Sequence, residues 1–247
     1  MSFKDHFSGH AVAYAQARPT YPAELFVWLK SQCPRHELVW DAGCGNGQAS
    51  VALAGYFDQV FATDPSATQI AAAAPHPKVT YAVEPAEKCS LPDHGADLVT
   101  VAQALHWFDH PRFYPEVRRA LKPGGLLAVW TYERSSVTPD VDAVFAQLYL
   151  GELGDYWPPE RRHIEAGYAT LPFPFTERPA PTFELRCDWT LAQYLAYLSS
   201  WSAAQRYLKA TGRDAIAAFA PALARAWGDA DTVRAVRWPM TLRLGQA

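Results

Sequence analysis

The residues best suited to chemistry lie in one short run, Val39-Trp40-Asp41-Ala42-Gly43-Cys44-Gly45-Asn46-Gly47, where an apolar stretch meets a carboxylate and then three glycines at alternate positions. Glycines let a backbone turn tightly and approach a ligand closely, and the helical pattern that begins after Gly47 offers free N–H groups at the same place. The spacing is G-x-G-x-G, not the G-x-G-x-x-G of dinucleotide sites, whose pyrophosphate rests on a helix N-terminus. Asp41 would repel a pyrophosphate and attract a cation. Seventeen residues beyond Gly47, Asp64 ends the next apolar run. That is close to the interval of about 20 at which a carboxylate accepts hydrogen bonds from both ribose hydroxyls. Both aspartates also have a plainer reading as helix caps; the intervening glycines favour ligand contact.

Elements that alternate between strand and helix must position these residues. Apolar runs at 38–40, 59–63, 79–83, 96–102 and 126–131 read as strands, and alanine-rich or amphipathic segments at 48–56, 66–74 and 111–121 read as helices. Strand and helix repeated at this spacing predict a parallel sheet covered on both faces. The helix ending at Leu121-Lys122 is expected to stop in a sharp turn at Pro123-Gly124-Gly125. Residues 133–181, with Trp157-Pro158-Pro159 and Pro172-Phe173-Pro174, lose the regular pattern and read as a lid or insertion. A strand at 182–187, helices over 191–227 with a break near Gly212, and a strand at 233–244 complete seven strands. The expected divisions are an N-terminal helical segment at 1–37, a binding core at 38–132, the lid at 133–181 and a C-terminal part of the sheet at 182–247.

Composition narrows the class of partner. The 247 residues are 49% hydrophobic and 19% charged, with a formal net charge of -3 and no basic run longer than the pairs Arg118-Arg119 and Arg161-Arg162. A chain of this kind folds, and it gives no electrostatic reason to expect nucleic acid or an anionic membrane. The four cysteines, Cys33, Cys44, Cys89 and Cys187, show no metal-ligand spacing. No stretch has the length of a signal-peptide core or a membrane span. These features predict a cytoplasmic monomer or homodimer that takes a small-molecule substrate and no metal.

At the D-x-G-x-G-x-G run the sequence resembles the class I S-adenosylmethionine-dependent methyltransferases, and four further matches follow in order. They are Asp64 at the second strand, Pro85-Ala86-Glu87 after the third, Ala96-Asp97-Leu98-Val99-Thr100 with Gln103-Ala104 at the fourth, and Leu121-Lys122-Pro123-Gly124-Gly125 before the fifth. The resemblance implies a Rossmann-like, doubly wound α/β fold with a mostly parallel seven-stranded sheet, an antiparallel edge strand and a helical lid. It implies S-adenosyl-L-methionine as cofactor. Its amino group is held by Asp41, directly or through water, its ribose by Asp64, and the rest by Gly43, Cys44, Gly45, Asn46, Gly47, Pro65, Ala86, Glu87, Gln103 and Ala104. The branch that includes trans-aconitate methyltransferase is similar in Tyr14, Arg18-Pro19, Tyr21-Pro22, Ala104-Leu105-His106-Trp107-Phe108 and Tyr156-Trp157-Pro158-Pro159-Glu160-Arg161. This likeness implies that the N-terminal segment packs over the cofactor, with Tyr14 and Arg18 as contact candidates.

The chain has Gln103-Ala104-Leu105-His106 where enzymes acting on nucleobase or amide nitrogens commonly carry an Asn- or Asp-Pro-Pro-aromatic tetrad, which argues against DNA adenine or glutamine methylation. The implied reaction is methyl transfer to a small molecule by in-line displacement, at oxygen, with a carboxylate as one candidate acceptor. His106 has two readings, general base or packed imidazole, because a carboxylate acceptor needs no proton removed. Trp107, Tyr132, Trp157 and Trp201 are candidates for the substrate wall, against a background of nine tryptophans that must mostly be packing. Glu87 divides between adenine contact and a cap, with the Ala86 amide the better adenine partner. Arg134, Arg161 and Arg162 could clamp an acidic substrate, but each read singly is an ordinary surface arginine. A nicotinamide-dependent oxidoreductase and a non-catalytic S-adenosylmethionine binder are the alternatives.

Overall fold

A computed structural model of the chain describes residues 19–246; Tyr14 and Arg18 lie outside the described residues. After helix α1 (Ala23–Gln32), strands β1 (Leu38–Ala42), β2 (Gln59–Asp64), β3 (Val79–Val83), β4 (Ala96–Ala102) and β5 (Leu121–Tyr132) alternate with helices α2 (Gln48–Leu53), α3 (Ala67–Ala71) and α4 (His110–Ala120). After β5 come α5 (Pro139–Ala146), continued by a π-helical turn at Gln147–Glu152, then α6 (Arg161–Glu165). Strands β6 (Thr176–Arg178) and β7 (Phe183–Trp189), helices α7 (Leu191–Ser199), α8 (Ser202–Thr211) and α9 (Ala215–Trp227), and strand β8 (Arg234–Gln246) follow.

The sheet runs β3-β2-β1-β4-β5-β8, with β6 and β7 both antiparallel to β8 on its outer side. Strands β1 to β5 are mutually parallel, and β8 lies antiparallel against β5. Eight strands thus fill the seven expected positions, because the outermost one is divided between the short β6 and β7. The central strands β1 and β4 are buried almost throughout, as strands covered on both faces must be, and this is why they read as continuous apolar runs. Successive residues feed opposite cores. Val39 joins the cluster built on Leu25, Leu53 and Trp130, while Trp40 joins that of Val99, Phe113 and Val129.

The turn before β5 differs from expectation. Helix α4 ends at Ala120, and Leu121 already pairs with Ala96, while the next pair is Leu98 with Leu126. Residues 122–125 are therefore a bulge within β5 and not a turn ahead of it. A Pro-Gly-Gly run that cannot continue a helix serves a bulged strand equally well. Helix α8 ends as expected at Gly212, which sits at φ 70°.

Candidate functional site

Reversal of strand order between β1 and β4 leaves a crevice at their carboxyl ends, the place where open α/β sheets take ligands. The glycine loop forms its floor. Gly43, Gly45 and Gly47 all have left-handed φ, at 69°, 55° and 82°, a conformation that costs a side-chain-bearing residue about 1–2 kcal/mol. Space also demands glycine at two of them. A Cβ on Gly43 would stand 2.8 Å from the Ala104 Cβ and the Phe108 ring, and one on Gly47 would meet the Tyr81 hydroxyl. At Gly45 the nearest such neighbour among the described residues is the Gln69 Oε1, at the ordinary contact distance of 3.9 Å.

Asp64 lines the crevice at 9% exposure. One carboxylate oxygen accepts the Gly45 N–H at 2.9 Å and the other the Ser66 N–H at 2.8 Å. A carboxylate held by amides on both oxygens is fixed in direction and retains lone pairs for further donors. Asp41 is placed otherwise. It is wholly buried behind the loop, accepting from Ser50 Oγ at 2.6 Å and Thr100 Oγ1 at 2.9 Å, so both oxygens face hydroxyls and not the crevice. Burial pushes its pKa up to about 6, against the lowering effect of those two hydrogen bonds. Asp41 itself does not line the crevice. Its visible task is to tie the first turn of α2 to β4.

Gly43, Cys44, Gly45, Asn46, Gln103 and Ala104 line the crevice as expected, together with Tyr21, Gln48 and Gln69. Gln103 is a non-glycine at φ 57°, held there because its Oε1 accepts from Thr131 Oγ1 at 2.7 Å and the Tyr132 N–H at 2.9 Å; such strained backbone collects at functional sites. Gly47, Pro65, Ala86 and Glu87 do not line it. Glu87 Oε1 accepts the N–H of Asp109, the residue that precedes α4, at 2.8 Å.

Trp107, Tyr132, Trp157 and Trp201, the four expected wall residues, all reach the same crevice. The rings of Trp157 and Trp201 are 5.3 Å apart. His106 lines it too, 8% exposed, with its Nδ1 at 3.0 Å from the Tyr168 hydroxyl and its ring 4.5 Å from that of Trp107. Burial and the nearby Arg161 push its pKa down to about 3, so the imidazole is neutral. Its partner Tyr168 is buried at φ 62° and carries no mark in the sequence.

Sequence reasoning misjudged Arg161. Rather than lying on the surface, it lines the crevice beside Pro158 and Ile164. Its guanidinium carbon is 4.9 Å from the centre of the Trp157 ring and 5.5 Å from that of Tyr149, and its Nε donates to the Tyr149 hydroxyl at 2.6 Å. Among the described residues no carboxylate pairs with it directly. The four-residue interval from Trp157 to Arg161 was the available signal, since cations and aromatic faces attract one another. Among the described residues no cluster of three or more His, Cys, Asp or Glu side chains is arranged to hold a metal, and no helix is long and apolar enough to cross a membrane.

Residues 40–129 match the family model described as a methyltransferase domain. Over 233 residues, 93% of this chain and 89% of the other, the sequence is 36% identical to a protein from Dictyostelium discoideum named as a methyltransferase. A solved structure described as a type II methyltransferase, from Anaeromyxobacter dehalogenans, is 48% identical and superposes with a TM-score of 0.88, covering 93% of this chain and 97% of that one. A methyltransferase structure from Anabaena variabilis shares the fold at a TM-score of 0.54 and 19% identity, over 92% of this chain and 99% of that one.

Proposed function

Because the chain belongs to the class I S-adenosylmethionine-dependent methyltransferases, we propose that it transfers the methyl group of S-adenosylmethionine to a small carboxylic acid. The crevice suits the cofactor. Asp64 presents a carboxylate fixed in direction toward the ribose hydroxyls, Gly45 has no tight neighbour among the described residues and admits close approach, and Gln103 and Ala104 stand at the end of β4. S-adenosylmethionine supplies a methyl group on a positively charged sulfur, activated for in-line displacement. The protein's share is alignment, exclusion of water and stabilisation of changing charge.

The observation that carries the acid acceptor is Arg161, a guanidinium without a direct carboxylate partner among the described residues, set among the aromatic walls of the crevice. An aromatic enclosure alone would equally suit a cationic acceptor, but Arg161 disfavours one and offers a carboxylate two parallel hydrogen bonds. Transfer to a carboxylate requires no base, since that nucleophile is already ionised at neutral pH. His106 fits this reading as a neutral, buried imidazole held by Tyr168. A base serves best with a pKa near the working pH, and His106 is far below it. The free thiols suit a reducing, cytoplasmic setting.

The test is incubation with methyl-labelled S-adenosylmethionine and a panel of small aryl and aliphatic acids, each beside the alcohol and amine of the same skeleton. Label is expected in the acids, as methyl esters. The Arg161→Gln variant is expected to lose about tenfold to hundredfold in kcat/KM, the scale of hydrogen bonds to a charged group, with unchanged cofactor affinity. Preferential labelling of alcohols or amines, or an unaltered rate for the variant, would contradict the acid acceptor.

A further inference from the structure

The Nε edge of Arg161 is held through two residues that do not themselves line the crevice. The Tyr149 hydroxyl accepts from Arg161 Nε at 2.6 Å and donates to Glu165 Oε1 at 2.7 Å. Tyr149 is 1% exposed, and its ring lies 5.6 Å from Phe145, 4.6 Å from Trp157 and 5.7 Å from Trp201. It projects from the π-helical turn that continues α5, a local widening of the helix that recurs at functional sites. Glu165 stands one turn beyond Arg161 on α6.

Proton accounting gives the chain a direction. Nε of arginine can only donate, so the Tyr149 oxygen accepts from it, and the phenolic proton is free to go to Glu165. With Nε engaged, the edge of the guanidinium left for an acceptor is the terminal pair Nη1 and Nη2, which meets a carboxylate end-on with two parallel hydrogen bonds. The flat side of the guanidinium is meanwhile set by the Trp157 and Tyr149 rings.

We infer that Tyr149 and Glu165 are positioning residues that orient the Nη edge of Arg161 into the crevice and thereby set its preference for an acceptor bearing a carboxylate on an aromatic body. The inference rests on the acid-acceptor reading. The Glu165 carboxylate polarises the Tyr149 hydroxyl, which strengthens its hold on Nε. Because the carboxylate stands behind the phenol and not against the guanidinium, the cation is oriented without being neutralised. The aromatic walls then receive the body of the acceptor while Arg161 holds its charged end.

The experiment is calorimetric titration of the protein loaded with S-adenosylhomocysteine, using cinnamate and cinnamyl alcohol as probes, on wild type and five variants. Wild type is expected to favour the acid. Tyr149→Phe keeps the buried ring and removes the hydroxyl, and is expected to weaken cinnamate by about threefold to tenfold, the scale of one hydrogen bond, leaving the alcohol and S-adenosylhomocysteine unchanged. Glu165→Leu is expected to match it, whereas Glu165→Gln, whose amide oxygen still accepts the phenolic proton, retains wild-type selectivity. Equal weakening of acid and alcohol would reduce both residues to packing and overturn the inference. If Arg161→Gln abolishes the preference while Tyr149→Phe and Glu165→Leu retain it, the positioning role falls and the acid acceptor stands. If Arg161→Gln retains the preference, or wild type does not bind cinnamate, the inference falls; the first of these outcomes also removes the acid reading. Arg161→Lys, a cation without the planar fork, is expected to lose most of the preference.

Discussion

Taking the wild-type protein from pH 7 to pH 5 is expected to remove about 2 kcal/mol more stability than the same step removes from a His106→Asn variant. In the folded state burial, and then the charge of Arg161, push the His106 pKa down to about 3; in the unfolded chain it returns to about 6.5. The folded pKa is depressed, so as the pH falls below 6.5 the unfolded state gains a proton that the folded state refuses until near pH 3. The stability linked to the neutral imidazole is therefore complete above pH 6.5 and lost progressively through that window. Asp41 acts with the opposite sign. Its pKa is raised to about 6 by burial, so its contribution is present at low pH and lost as the pH rises through 6. That contribution is common to both proteins and cancels in the comparison. Asparagine is the chosen replacement because its amide reaches the place of Nδ1 and can keep the bond to Tyr168. Urea unfolding of both proteins at the two pH values measures the difference, and equal pH dependence would contradict a neutral, buried His106.

Replacing Asp64 by alanine is expected to weaken S-adenosylmethionine binding by about 1.5–3 kcal/mol, roughly tenfold to hundredfold, the cost of losing hydrogen bonds to a charged group. Two effects point the same way. The acceptor for the ribose hydroxyls disappears, and so does the anchor that receives the Gly45 N–H from the glycine loop and the Ser66 N–H before α3. Asp64→Asn separates them. Its carbonyl oxygen can replace only one of the two acceptors, so its affinity is expected to fall between those of alanine and wild type. Titration calorimetry of the folded variants reads the change, and wild-type affinity in Asp64→Ala would remove the ribose from this position.

Features that depend on local backbone physics were legible in the sequence. Parallel strands buried on both faces must be runs such as Leu98-Val99-Thr100-Val101, and alternate glycines mark a loop whose residues take positive φ. The place of Asp64 at the crevice was legible because it ends a strand. The rest depends on partners that meet only in space. That Asp41 is buried on Ser50 and Thr100, nine and 59 positions away, shows only in space. Glu87 is taken by an amide 22 positions on. Arg161, Tyr149 and Glu165 converge through a π-helical turn that leaves no periodic trace, so an arginine beside Arg162 looks like an ordinary surface pair. Strand β6, only three residues long, lay inside a stretch whose prolines and aromatics read as lid.

The most direct measurement is parallel calorimetric titration of the purified protein with S-adenosylmethionine, S-adenosylhomocysteine and NADH. Binding of the first two without the third is the expected result. It would place the ribose carboxylate and the glycine loop in the service of a methyl donor. Binding of NADH alone would contradict both that assignment and the methyl-transfer chemistry built on it.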